Sequence, residues 1–380
     1  MLIRQDFLPN KWDKVDLDNV VDFLDSQRKP ITQKDRVQGK YPYYGANGQQ
    51  DSINDYIFDE PLVLLAEDGG HFGNPEKTIA YQIEGKCWVN NHAHVLRPKN
   101  NIDIRYLCRY LERFDVVPFI TGSTRGKLTK SAASKIPVPL PPIAEQRRIA
   151  AILDKADGIR RKRQEAIRLT EELGRSLFLD MFGDPVTNPK GWEVNNLGNV
   201  GNLERGKSKH RPRNDPSLLG GKYPLIQTGD VANCKSIIQK YSQTYSEKGL
   251  AQSRLWKAGT LCITIAANIA ETGILSFDAC FPDSIVGFSP SAKMNTNFVQ
   301  GWFYFFQPIL EASAPQSAQK NINLAILRDL KIIVPPVEKQ EHFSKIIENL
   351  RKQSEKLEAH LKESENLFNS LLQRAFRGEL

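Results

Sequence analysis

Pro141-Pro-Ile-Ala-Glu-Gln146 and Pro335-Pro-Val-Glu-Lys-Gln340 stand 194 residues apart in a chain of 380 residues. Ser176-Leu177 with Phe182 recurs as Ser370-Leu371 with Phe376 at the same offset, so nothing is inserted after the proline pair. Upstream the match continues at a smaller offset. Gly39-Lys-Tyr-Pro42 returns as Gly221-Lys-Tyr-Pro224 after 182 residues, and Trp12, Leu17, Asn19 and Val20 return as Trp192, Leu197, Asn199 and Val200 after 180. Single tetrads and proline pairs arise by chance. Four landmarks in one order at nearly constant offset identify an internal duplication, with a net difference of 12 residues between the second and third landmarks.

Each copy changes texture once. Before the proline pair, short apolar runs such as Leu62-Val-Leu-Leu65, Leu261-Cys-Ile-Thr-Ile265 and Lys331-Ile-Ile-Val334 alternate with Gly, Asn, Asp and Pro, the pattern of short strands and loops. After it, Gly and Pro nearly vanish, and Pro142 and Pro336 stand where a ring is tolerated at a helix start. Phe343, Ile346, Leu350, Gln353 and Leu357 step by 3 and 4 in alternation, as do Ile149, Ile152, Ala156 and Ile159, which is coiled-coil seam spacing. A helix from Ala144 to Phe182 would run to roughly 58 Å, weakened locally by Gly158 and Gly174. That is too long for a simple core helix. Two equal helices with apolar seams are expected to pack on each other. Leu173 and Leu177 match Leu367 and Leu371 in register and join the expected seam.

The expected architecture is α+β. Two globular mixed α/β domains, residues 1–140 and 186–334, are separated by two long antiparallel coiled-coil helices, 141–185 and 335–380, with an internal pseudo-two-fold repeat.

Charge gives the first functional direction. The 52 Lys and Arg against 44 Asp and Glu leave +8, and the pI is about 9.1. A basic balance suits an anionic partner, nucleic acid or membrane surface. The excess is local: residues 191–330 carry 14 basic and 10 acidic groups, whereas 1–140 carry 19 and 18. The sharpest cluster is Lys207-Ser-Lys209-His210-Arg211-Pro-Arg213, whose counterpart in the first copy is the milder Arg28-Lys29. Flexible cations beside small hydroxyls suit phosphate contacts, although most charge runs are simply solvated. A second candidate, Thr121-Gly-Ser-Thr-Arg125-Gly-Lys127-Leu-Thr-Lys130, aligns roughly with Ser317-Ala-Gln319-Lys320-Asn321-Ile-Asn323, and its residue types suit base edges as well as phosphates. If the helices space the modules, duplex DNA with half-sites about one turn (~34 Å) apart is the matching target. Because the two modules differ, that target is split and asymmetric.

No stretch approaches the ~18 apolar residues of a membrane span, and the start lacks the apolar core of a secretory signal. A cytoplasmic location is expected, without membrane association. The five cysteines form no Cys-x-x-Cys pair and read as buried thiols of a reducing compartment.

With the duplicated layout, the Pro-Pro-x-x-Glu-Gln junction (Lys339 replacing Glu in the second copy) and the ending Leu371-Leu-Gln-Arg-Ala-Phe-Arg-Gly-Glu-Leu380, the chain closely resembles the specificity subunits (HsdS) of type I restriction-modification systems. Asn90-Asn-His-Ala-His-Val95 and the run Gly122 to Leu128 also look like segments of that family's target-recognition domains. The resemblance covers essentially the whole chain. It implies a non-catalytic reader of a bipartite asymmetric site in double-stranded DNA, with a methyltransferase subunit (HsdM) docking on the helices and a translocase-nuclease subunit (HsdR) joining the assembly. It also implies that S-adenosylmethionine, ATP and Mg act on those partners, so that this chain binds no cofactor. The bases read do not carry over, because reading residues differ between members.

Catalytic readings fare poorly on the residues. An adenine methyltransferase needs an Asn-Pro-Pro-Tyr-like tetrad and a glycine-rich cofactor loop, and the sequence has neither. Asp68 with Glu84-Gly-Lys86 imitates a nuclease metal triad at loose spacing. His92 and His94 alternate as strand ligands would, but no pattern completes a metal site, and structural or DNA-contacting histidines fit better. Gly69-Gly-His71-Phe-Gly73 is too short for a phosphate loop. The alternatives are a DNA-reading subunit of a type IIG-like or phage-defence methylation system, or a scaffold protein that binds no DNA.

Overall fold

The structure, a computed structural model, describes residues 2–122, 126–266, 269–313 and 322–380. The chain divides into two compact units. Unit 1 comprises Met1–Glu165 with Glu358–Leu380, and unit 2 comprises Ala166–Leu357. The expected long helices are Ile143–Phe182 and Val337–Phe376, 40 residues each. The carbonyl of Pro142 accepts from Glu145 and Gln146, and that of Pro336 from Lys339 and Gln340, so each proline forms the first turn that its missing N–H permits.

In unit 1 a four-stranded antiparallel sheet runs in the order Val21–Phe23, Ala93–Pro98, Leu62–Ala66, Ala80–Ile83. Its strand Leu62–Ala66 is buried at every position, which is why the sequence shows an unbroken apolar run there. A second, mixed sheet orders Gly48–Ile53, Gln38–Gly45, Lys86–Val89 and Phe58–Asp59, and the central pair is parallel. In unit 2 a five-stranded sheet orders Gly201–Arg205, Ile285–Pro290, Leu261–Thr264, Thr272–Leu275 and Ile237–Ile238, again around a wholly buried strand, Leu261–Thr264. The second Gly-Lys-Tyr-Pro lies on Leu219–Leu225, paired antiparallel with Gln243–Tyr245.

The duplication is visible in how each module closes. Asp13–Asp16 pairs antiparallel with Pro137–Leu140, and Glu193–Asn196 with Lys331–Val334; Asp13 faces Leu140 as Glu193 faces Val334. The first partner moves by 180 residues between copies and the second by 194. The inserted residues therefore lie inside the module, between two ends that pair in the same register. One helical turn follows each opening strand, and it buries Leu17 and Val20 in unit 1 and Leu197 and Val200 in unit 2.

Within each unit the two long helices run antiparallel. In unit 1 the Arg160 guanidinium lies 5.0 Å over the Phe368 ring, and Arg163 donates to the Ser364 hydroxyl and the His360 carbonyl. In unit 2 Phe178 and Phe182 meet Phe343 edge-on at 5.6 and 5.5 Å.

The expected seam needs correction. Ile149 and Phe343 are buried, whereas Ile152, Leu177, Ile346, Leu350, Leu357 and Leu371 are half-buried, and Leu173 and Leu367 are each 54% exposed. The buried stripe is Ile149, Leu153, Ala156, Phe368, Leu372 and Phe376 in unit 1, with the expected Leu371 packed against it, and Phe178, Phe182 and Phe343 in unit 2, with the expected Leu177 packed against it. The cause is a third surface. Each helix segment packs against its module's own aromatic wall as well as against the other helix: Tyr106 and Tyr110 stand 5.3 and 5.1 Å from Phe376, and Phe298 stands 4.8 Å from Phe182. That wall pulls the buried stripe toward the module and away from Leu173 and Leu367.

Candidate nucleic-acid interface

The proline-pair junction anchors each module. Gln146 Oε1 accepts from the Asp103 backbone N–H at 2.8 Å, while Nε2 donates to the carbonyls of Pro141 at 2.8 Å and Asn101 at 3.2 Å. Asp103 caps the helix Ile104–Leu111 by accepting from the amides of Arg105 and Tyr106. In unit 2 Gln340 repeats the pattern: Oε1 accepts from Asn295 N–H at 2.9 Å, and Nε2 donates to Pro335 at 2.8 Å and Lys293 at 3.1 Å. Both amides are fully buried.

Unit 1 carries a polar concavity of 440 Å³ lined by Arg36, Asn47, Gln50, Asp68, Asn90 and His92, among others, and none of the expected cations is among its described lining residues. Arg28 is not available to a phosphate. Its Nη1 donates to Glu67 Oε2 at 2.7 Å and to the Ala93 carbonyl at 2.6 Å, its Nη2 lies 3.6 Å from Asp25, and its side chain is 12% exposed. Lys127 Nζ takes the other Glu67 oxygen at 3.0 Å and stays half exposed. The His94 ring is clamped between Asp25 at 2.6 Å and the Leu128 carbonyl at 2.8 Å. Burial pushes the Asp25 and Glu67 carboxyls up. Hydrogen bonds and charge from His94 on the first, and from Arg28 and Lys127 on the second, outweigh it and hold both below their ordinary range.

Asp25, Glu67 and His94 place ligand-type atoms within 4.8 Å of one another. The Arg28 guanidinium already supplies the positive charge there, so the network ties the segment at Leu128 to the sheet and orients Lys127. His92 bonds Asp68 at 2.6 Å at the rim of the concavity. Lys29 is exposed with no carboxylate partner among the described residues, and Lys130 is exposed with its ammonium 5.5 Å over the Phe23 ring. Arg125 in unit 1 and Lys320 in unit 2 lie outside the described residues.

In unit 2 the Lys207-to-Arg213 run is a surface loop pinned at its root. Gln252 Oε1 accepts from the amides of Lys209 at 2.6 Å and His210 at 3.1 Å, and the Ser253 hydroxyl donates to the Lys207 carbonyl at 2.8 Å. Lys207 and Lys209 are exposed without ion-pair partners among the described residues. Arg211 and Arg213 share Asp283, so part of their charge is neutralised internally. Hydrogen bonds from Ser217, with His210 at 2.9 Å, lower the Asp215 carboxyl to about 2 and fix the loop's far end.

Sequence reasoning missed the amides. Asn47, Gln50 and Asn90 meet in the unit 1 concavity, and in unit 2 Gln227 Nε2 donates to Gln243 Oε1 at 3.1 Å. The Asn47-Gly48 turn was readable as a hairpin, but nothing local brings Asn90 beside residues 40 positions earlier.

The sequence model of the type I restriction modification DNA specificity domain matches twice, at residues 9–169 and 189–364. A Haemophilus influenzae chain that bears the name of a type I restriction enzyme specificity subunit is 28% identical over 87% of this chain and 86% of its own length. The MjaVIII specificity subunit of Methanocaldococcus jannaschii is 24% identical over 95% of this chain and 92% of its own. The crystal structure of the S subunit of a type I restriction-modification system from M. genitalium superposes with a TM-score of 0.61, at 14% identity, over 96% of both chains.

Proposed function

Because this chain belongs to the type I restriction modification DNA specificity family, we propose that its two units each read one half of a bipartite, asymmetric sequence in double-stranded DNA. One observation carries the reading. The specificity domain occurs twice, and the two copies fold alike at the junction while differing in the surfaces they display. Unit 1 offers an amide-lined concavity and, elsewhere on its surface, the exposed Lys29, Lys127 and Lys130. Unit 2 offers a loop with two unpaired lysines and two partly neutralised arginines. Lys207 and Lys209 suit phosphates, which position the protein, and amides suit base edges, which specify sequence.

The chain performs no chemistry in this account. A methyltransferase subunit docks on the long helices, where Leu173 in unit 2 and Leu367 in unit 1 each offer an exposed apolar side chain. A translocase-nuclease subunit joins that assembly, and S-adenosylmethionine, ATP and Mg act on the partners. The test is a gel-shift titration across salt with the methyltransferase subunit co-expressed. A DNA reader loses affinity linearly in log–log form as salt rises; absence of DNA binding by the complex contradicts the reading.

A further inference from the structure

We propose that Gln50 is a base-reading residue that recognises an adenine in the half-site bound by unit 1, and that Asn90 and Gly45 are positioning residues that set its amide. The inference rests on the reading of this chain as a DNA specificity subunit and deepens it to a named contact.

Asn90 is buried, and its Oδ1 accepts from the backbone N–H of His92 at 2.8 Å. A backbone N–H can only donate, so the oxygen of Asn90 is fixed on that side and Nδ2 is left on the other. That Nδ2 donates to Gln50 Oε1 at 3.2 Å. The Gln50 atom facing Asn90 must therefore be the oxygen, and the free hydrogen-bonding capacity of the amide is defined: one remaining lone pair on Oε1 and the two protons of Nε2, which meet no acceptor among the described residues. An acceptor and a donor side by side on one planar amide are what adenine's N6 amino group and N7 require in the major groove.

The seat is built for this amide. A Cβ added at Gly45 would stand 2.3 Å from Gln50 Nε2 and 2.9 Å from Asn90 Nδ2, so the Gln50 amide keeps this position only beside a glycine and would swing away from any larger residue. Gly45 and Gln50 lie on strands that pair antiparallel, Gln38–Gly45 with Gly48–Ile53. Gln50 is exposed and lines the 440 Å³ concavity together with Asn47, Asn90 and Asn91.

Unit 2 carries a parallel arrangement. Gln243 is exposed on the strand that pairs with the second Gly-Lys-Tyr-Pro strand, and half-buried Gln227 donates to its Oε1 at 3.1 Å. An exposed glutamine oriented by a less exposed amide thus occurs on the equivalent strand pair of each unit.

The experiment uses the full chain in complex with its methyltransferase subunit. Relative affinity is measured for duplexes in which each base pair of the recognised site is replaced in turn. A bidentate amide contact discriminates against wrong bases by about 5- to 150-fold. In the wild-type complex one A·T pair of one half-site is expected to show discrimination of that order. Gln50→Leu is expected to reduce it to within about two-fold at that pair alone, with the other half-site unchanged. Gly45→Ala, which keeps Gln50 but displaces its amide, is expected to weaken discrimination at the same pair while the thermal midpoint of the complex holds. If Q50L discriminates like wild type at every pair, or loses discrimination evenly across both half-sites, the assignment is overturned while the specificity-subunit reading stands. If the wild-type complex binds all duplexes alike, both fall together.

Discussion

Gln146 accepts from the backbone N–H of Asp103 at 2.8 Å, and Gln340 does the same to Asn295 at 2.9 Å. In each unit one buried amide thus joins three things: the exit of the module's last strand, the start of a long helix and the cap of the module's own helix. Replacing Gln146 by Leu removes an acceptor and two donors where water cannot substitute. The cost is expected at about 2–4 kcal/mol, because an orphaned buried N–H and two carbonyls forfeit their partners. Urea unfolding should show a lower midpoint for Q146L and for Q340L, each confined to the transition of its own unit if the two unfold separately.

The pairing of Arg28 with Glu67 gives a pH signature. Both Asp25 and Glu67 titrate below their ordinary values of 3.8 and 4.5 in the folded protein. Their contribution is therefore fully present above those unfolded values and is lost as pH falls through the lower, folded ones. Arg28→Met is expected to destabilise unit 1 by about 3 kcal/mol at pH 7, leaving buried carboxylates short of a counter-charge. The difference from wild type should shrink toward pH 3, as measured by denaturant midpoints. A penalty constant with pH would show that Arg28 acts by packing alone.

In the Lys207-to-Arg213 loop the four cations should not be equivalent. Replacing Lys207 and Lys209 by Ala is expected to reduce the log–log salt slope of DNA binding by about 1.8, two phosphates at ~0.9 each. Replacing Arg211 and Arg213 should reduce it by less, because Asp283 already neutralises part of their charge. Asp283→Asn should then strengthen binding to all sequences alike. Slopes unchanged from wild type in both the Lys207/Lys209 and the Arg211/Arg213 variants would mean that the loop is only solvated.

Leu173 and Leu367 are more than half exposed, so Leu→Glu at either site should change stability by less than about 0.5 kcal/mol. The same substitutions should reduce co-purification with the methyltransferase subunit. A destabilised chain would restore these leucines to the core, and unchanged co-purification would remove them from the docking surface.

The duplication and both long helices could be read from the sequence because they rest on repeated local signals: Pro-Pro at a helix start, seam spacing and buried apolar runs. Which leucines pack could not. Spacing alone cannot distinguish a stripe facing one helix from a stripe shared with a module's own wall, Tyr106 and Tyr110 in unit 1 and Phe298 in unit 2, and the difference moved the buried set from Leu367 to Leu372 in unit 1 and from Leu173 to Phe178 in unit 2. The site divides the same way. The exposed Lys207 and Lys209 were legible as a cluster, while Arg28 proved to be committed to Glu67, 39 residues away, and Asn90 to Gln50, 40 residues away. Such long-range pairs are set by sheet register and leave no local trace.

The most direct test of the central claim is a map of modified bases in the genome of cells carrying this chain with its methyltransferase partner. Two different short half-sites separated by a fixed number of unread base pairs are expected, with exchange of residues 1–140 for those of another specificity subunit altering only one of them. A single continuous motif, a palindrome, or both halves changing together would contradict the account.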